Sequence, residues 1–227
     1  MTDFTHLHLH SEYSLLDGMT RLDRLIAACQ TMGMDSVALT DHGVMYGVIE
    51  FYNKATKAGI KPIIGLEAYV APRSRTDRES RQDGSGHHIT LLAMDRTGYG
   101  NLLKLTTEAH LTGFYYKPRI DKDLLAEHSA GLIALSGCPT GEVSRHLRNG
   151  NVEAARSAAA FYKELFPGRY YLELQEHGLP EMAGLTAKLV ELGRDLDLPV
   201  VATNDVHYLT PDDAEIQDVL VSIQTNT

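Results

Sequence analysis

The chain has 227 residues, 43% of them hydrophobic and 22% charged, ordinary globular usage that excludes disordered and fibrous classes. Its 21 Lys and Arg against 30 Asp and Glu give a net charge of -9, which excludes a global electrostatic footprint for polyanionic DNA; nucleic acid can be met only locally, at bound cations. With no apolar stretch near ~20 residues, no signal-peptide pattern in residues 1–10 and only two cysteines, a cytoplasmic location without membrane contact is expected.

Apolar runs and helical periods alternate from end to end. Residues 4–10 read as a strand carrying histidines at period 2. Residues 20–32 read as a helix, with Leu22, Leu25, Ile26, Cys29 and Met32 on one face, Thr20 as N-cap and Gly33 as stop. Residues 36–40 form a short buried strand, 44–58 a helix closed by Gly59, and 61–70 a strand with Pro62 at its start. Residues 72–86 are rich in Arg, Asp, Glu, Ser and Gly without an apolar period and read as a solvated loop. Strands follow at 89–94, 132–135, 170–174 and 200–203, with helices at 99–111, twice before Phe166, at 180–196 and after Thr210 and Pro211. About seven strands separated by helices predict a parallel α/β sheet, a barrel in preference to an open doubly wound sheet.

Chemistry in a β/α barrel gathers at the C-terminal strand ends and the loops after them. His8 and His10 close the first strand two residues apart, on one face. Asp17 lies in the next loop, Asp41 and His42 follow the second strand, and Glu67 lies in the third. His87 and His88 precede the fourth strand, Cys138 follows the fifth, and Asp205 and His207 follow the seventh. Imidazoles, carboxylates and one thiol suit borderline divalent cations such as zinc, manganese or iron, and a carboxylate such as Glu67 can bridge two ions. Taken singly each feature has a plain explanation: a solvated histidine pair, a helix cap at Asp41, a small buried Cys138. Their joint placement on successive strand ends outweighs it. His110, His128 and His146 fall in helices or at their ends, and His177 lacks a ligand-spaced companion.

The segments FTHLHLHSEYSLLDG (4–18), ALTDHGVMYGVIEFYNKATKAGIKPIIGLEAYVAP (38–72), HITLLAMDRTGYGNLLKL (88–105), GFYYKPRI (113–120), GLIALSGCPTGEV (131–143) and LPVVATNDVHYLTPDDAEIQDVL (198–220) carry a resemblance to the PHP (polymerase and histidinol phosphatase) superfamily. More narrowly, the chain resembles the PHP domains of bacterial replicative DNA polymerase III alpha subunits. The resemblance implies a distorted seven-stranded β/α (TIM-like) barrel with two to three divalent ions, zinc, manganese or iron. Carried over by position, it implies metal ligation by His8, His10, Asp17, His42, Glu67, His88, Cys138, Asp205 and His207, with Glu67 bridging and His87 as the one-residue register alternative to His88. The resemblance further implies catalytic roles for Glu67, His10 and Asp205. His6 stands where many relatives have aspartate and is not counted as a ligand.

The implied activity is metal-dependent phosphodiester hydrolysis, 3′→5′ exonucleolytic proofreading at a DNA 3′ end, with the remainder of the polymerase and the replisome as partners. Lys117 and Arg119 are candidates to hold a substrate phosphate, and Tyr115 and Tyr116 to stack on a base. Two alternatives stay open: a non-catalytic, metal-stabilised platform, and a free-standing small-molecule phosphatase, against which GFYYKPRI and SGCPTGEV speak. Residues 1–227 are expected to form a single PHP domain, with its last C-terminal elements in question and without polymerase palm, fingers or clamp-binding parts.

Overall fold

A computed structural model describes residues 4–226 apart from 82, 85 and 179. Among these residues the elements run α1 (Leu22–Thr31), β1 (Ser36–Leu39), α2 (Val48–Lys57), β2 (Lys61–Val70), β3 (His87–Ala93), α3 (Arg96–Leu111), β4 (Arg119–Ile120), α4 (Lys122–Glu127), β5 (Leu132–Leu135), α5 (Glu142–Arg148), α6 (Val152–Leu165), β6 (Tyr170–Leu174), α7 (Leu185–Leu196), β7 (Val200–Ala202) and α8 (Ala214–Thr225). The α/β class read from the sequence holds. No helix among the described residues is long and apolar enough to cross a membrane. The chain forms two compact units, Met1–Leu66 with Asp205–Thr227, and Glu67–Asn204.

In the first unit, α1 buries Leu22, Leu25, Ile26 and Cys29, the face its period predicts, while Met32 lies beyond the helix and is exposed. Thr20 is not the N-cap: it pairs with Ser11 in an isolated bridge, and Arg21 precedes the helix instead. β1 pairs in parallel with the first half of β2, Ser36 opposite Lys61 through Leu39 opposite Ile64. Residues 4–10 do not form a regular strand: His8 lies at a bend and Leu9 makes an isolated bridge to Val206. Ala38 N–H donates to His6 O at 2.8 Å and His10 N–H to Val206 O at 2.8 Å. At the centre, Leu9 N–H goes to the Thr40 hydroxyl at 2.9 Å, so a side chain interrupts the backbone ladder.

In the second unit, β5, β6 and β7 are parallel neighbours, and β4 pairs in parallel with β2. β3 pairs with β5 antiparallel, Thr90 opposite Leu135 and Ala93 opposite Leu132, which corrects the all-parallel expectation. Parallel neighbours need a crossover, usually a helix. The connection between β2 and β3 contains none among its described residues. An apolar run such as residues 89–94 carries no direction of its own. The expected helix 180–196 is also divided: a 3-10 turn at Pro180–Met182 precedes α7, separated from it by Gly184 at φ +76°.

The described residues of segment 72–86 are largely exposed, as a solvated loop requires, but they are tied together from within. Their organiser is Arg119, fully buried on β4. The Arg119 guanidinium donates to the carbonyls of Gly113 (3.0 Å), Arg75 (2.7 Å), Asp77 (3.0 Å) and Asp83. The buried Asp83 carboxylate accepts from Ser80 N–H at 2.9 Å and from Arg73 at 2.9 Å. Arg75 pairs with Asp121 at 3.0 Å, and Asp121 also caps α4 by accepting from Leu124 N–H.

Candidate metal centres

The first unit gathers four imidazoles and two carboxylates. His8 and His10, both fully buried, aim Nε2 at one oxygen, Asp205 Oδ1, from 3.3 and 3.2 Å. His207 Nδ1 stands 3.6 Å from the same oxygen. On the other side, His42 Nε2 is 3.0 Å from Asp17 Oδ2 and His207 Nε2 is 3.7 Å from Asp17 Oδ1. The His10 ring stacks on those of His42 and His207, with centroids 4.1 and 4.4 Å apart. One nitrogen from each of these three rings lies within 4.8 Å of the others.

Local backbone features hold these side chains in place. His8 and His10 flank Leu9, which bridges to Val206, and both rings reach the same Asp205 oxygen. Gly18 lies where a Cβ would meet Ser11 O at 2.2 Å, so the loop bearing Asp17 can close only through glycine there. Asp17 is held from α8, where Gln217 Nε2 donates to its carbonyl. Asp205 has φ +49°, a left-handed conformation of the kind that concentrates at functional sites. Its carbonyl accepts from His207 Nδ1 at 2.8 Å, which fixes that ring's tautomer and leaves Nε2 with the lone pair. Burial alone would raise the Asp17 carboxyl, but the His42 hydrogen bond and the His207, His42 and His10 imidazoles together hold it below its ordinary value.

A second group lies in the other unit. Glu67, on the buried half of β2, is 1% exposed, and its Oε1 lies 2.9 Å from His88 Nδ1. Cys138 Sγ is 3.4 Å from the same nitrogen and 3.0 Å from Thr140 Oγ1. Gly137, at φ +81°, makes this possible: a Cβ there would sit 2.5 Å from His88 O. Alternation along β3 sends His88 to this group and His87 to the other face, where its ring neighbours His146 at 6.4 Å. Burial pushes His87 down.

The donor chemistry in both units fits a borderline divalent cation. Imidazole nitrogens and carboxylate oxygens converge in the first, and carboxylate, imidazole and thiol in the second. Arg119 does not serve as expected, because its donors are committed to loop carbonyls deep in the second unit. Lys117 is exposed, with Nζ 5.6 Å from the Tyr69 ring centroid, and Tyr115 and Tyr116 pack edge to face at 4.6 Å. Sequence reasoning missed Ser14, Thr140 and Gln217, whose roles depend on long-range placement. Asp41 was visible in the sequence, but its work was not.

A family model described as PHP domain matches residues 6–177. The chain belongs to the PHP domain family. This PHP chain is 46% identical over 228 residues to the DNA polymerase III subunit alpha of Thermus aquaticus, covering 99% of the chain and 19% of that protein. The corresponding subunits of Borreliella burgdorferi and Mycobacterium tuberculosis are each 45% identical, over 98% and 99% of the chain and 19% and 20% of theirs. The chain thus spans about a fifth of the length of the curated relatives it matches. Its fold matches a Bifidobacterium adolescentis protein described as a metal-dependent phosphoesterase, with TM-score 0.54 and 15% identity over 89% of this chain and 87% of that one. It also matches a two-domain Bacteroides vulgatus protein containing a predicted PHP-like metal-dependent phosphoesterase, with TM-score 0.52 and 18% identity over 90% and 52%. The PHP-type α/β fold expected from the sequence is therefore the observed one.

Proposed function

We propose that this PHP domain is a metal-dependent phosphoesterase that hydrolyses phosphodiester bonds at a DNA 3′ end, as a proofreading 3′→5′ exonuclease of a cytoplasmic replicative polymerase. The observation that carries the reading is the convergence of His8, His10, His42 and His207 on the Asp17 and Asp205 carboxylates. Identity of 45–46% to replicative polymerase subunits supports the DNA substrate and the polymerase and replisome as partners.

Those six residues would hold divalent ions, zinc, manganese or iron, and Glu67, His88 and Cys138 would supply further ligands, for two to three ions in all. Bound ions would supply Lewis acidity and lower the pKa of water. The chain's own residues do the rest. Asp205 and Asp17 hold negative charge where cations gather, and His10 and His42 present ring nitrogens in fixed orientation. Glu67 would add a carboxylate ligand beside His88. Lys117, exposed and cationic, offers a contact to substrate phosphate.

The test is elemental analysis of the purified protein alongside cleavage of a 3′-labelled single strand, with and without chelator, and with p-nitrophenyl phosphate as the small-molecule comparison. Two to three ions per chain with chelator-sensitive oligonucleotide cleavage is the expected result. Ions without cleavage of either substrate would replace the enzyme reading with a metal-stabilised platform. Absence of ions would overturn both.

A further inference from the structure

The metal reading takes up His42 but leaves its neighbour Asp41 unused. Asp41 is 1% exposed, as buried as the two innermost histidines of the cluster. Its Oδ1 accepts from Ser11 N–H at 2.7 Å and from the Ser14 hydroxyl at 2.8 Å, and its Oδ2 accepts from the Ser11 hydroxyl at 2.8 Å. Burial pushes this carboxyl up, and the three donors from Ser11 and Ser14 that converge on it counter that by favouring the anion. Ser14, 1% exposed, stands between this carboxylate and His10, with Oγ 2.9 Å from His10 Nδ1.

We infer that Asp41 is a positioning residue which, through Ser14, fixes the proton of His10 on Nδ1 and keeps Nε2 as the metal-facing nitrogen. The inference rests on the phosphoesterase reading only in taking His10 as a ligand.

The proton count carries it. A serine hydroxyl has one proton and two lone pairs. The Ser14 proton goes to Asp41 Oδ1, and one lone pair receives His42 N–H at 3.0 Å. The position facing His10 is therefore an acceptor, and the neutral His10 ring must carry its proton on Nδ1. Nε2 then keeps its lone pair, 3.2 Å from Asp205 Oδ1 on the cluster side. The same serine thus couples His10 to the backbone of His42, so one buried carboxylate registers two of the cluster histidines. Outer hydrogen bonds of this kind fix ligand tautomer and orientation, and their loss typically costs ~10–100-fold in metal affinity.

The first measurement is the long-range proton–nitrogen NMR spectrum of His10 in the metal-free wild-type protein, at a pH where the ring is neutral. A proton on Nδ1 is expected; a proton on Nε2 would overturn the inference. In Ser14→Ala the preference should be lost and zinc affinity, read by chelator competition, should fall ~10–100-fold. Wild-type tautomer and affinity in that variant would overturn the relay. Asp41→Leu frees the Ser14 proton to turn toward His10, so Nε2–H should dominate. Asp41→Asn keeps an acceptor oxygen for Ser14 and should retain the Nδ1–H form. If Asp41→Leu does not fold, the wild-type spectrum and Ser14→Ala still decide. A wild-type protein with Nδ1–H that binds none of zinc, manganese or iron would uphold the tautomer control while overturning the phosphoesterase reading.

Discussion

Replacing Glu67 by glutamine separates a metal ligand from a structural ion pair. The side chain is 1% exposed, and its Oε1 lies 2.9 Å from His88 Nδ1. Glutamine keeps the shape and removes the charge. Without metal, the variant loses a charge-assisted hydrogen bond worth about 1.5–3 kcal/mol. It also loses the burial penalty of an anion, several kcal/mol, so the two terms largely offset. The metal-free unfolding midpoint should move by no more than about 4 °C, the equivalent of ~1 kcal/mol at this chain length. Zinc at about 100 times its Kd stabilises the wild-type protein by ~2.7 kcal/mol, or roughly 5–11 °C. A 100-fold weaker site at the same zinc concentration retains only about 0.4 kcal/mol, a shift below ~2 °C. Thermal unfolding with zinc and with chelator, together with elemental analysis, reads both terms. A Glu67→Gln protein that kept the wild-type zinc shift and full metal content would refute the ligand assignment, and one that lost most of its metal-free stability would make Glu67 a structural pair instead.

Gly137→Ala must place a side chain at φ +81° and 2.5 Å from His88 O; the left-handed conformation alone costs about 1–2 kcal/mol, so the unfolding midpoint should drop by at least ~2–8 °C with weakened zinc binding. Arg119→Met removes the donor that ties the Gly113, Arg75, Asp77 and Asp83 carbonyls together, at a cost of about 3 kcal/mol or more, and limited proteolysis should then cut within residues 73–83. The Arg73 hydrogen bond, with support from Ser80, lowers the Asp83 carboxyl to about 2. A carboxyl depressed in the folded state stabilises above its unfolded pKa of ~4 and loses that contribution as pH falls toward the folded value. The 73–83 loop should therefore stay protected at pH 4 and open on acidification toward about 2, and Arg73→Ala should move that opening to higher pH, as carboxyl NMR would report.

Much of this protein is legible before any coordinates. The α1 face of Leu22, Leu25, Ile26 and Cys29 follows from the 3.6-residue period. The imidazole, carboxylate and thiol residues of both groups are visible by residue type and by their place in or beside expected strands. Such features are local: period, spacing and side-chain chemistry reside in the sequence itself.

Other features exist only once distant segments meet. Seven strands are expected and seven are found among the described residues, yet the members differ. Thr40 breaks the ladder of residues 4–10, and the two-residue β4 is too short to show a period. The direction of β3 follows from a connection without a helix, which an apolar run cannot report. Arg119 reads as a free cation next to Lys117, and only folding buries it beneath loop carbonyls. His87 and His88 are equivalent in sequence; the phase of β3 against Glu67 and Cys138 decides between them. Asp41 is likewise a plain helix cap until Ser14, 27 residues away, closes its hydrogen bond. Residue type and period determined the class and the candidate ligand residues, whereas strand direction, burial and hydrogen-bond partners were decided by the tertiary structure, because each depends on which atoms approach across the chain.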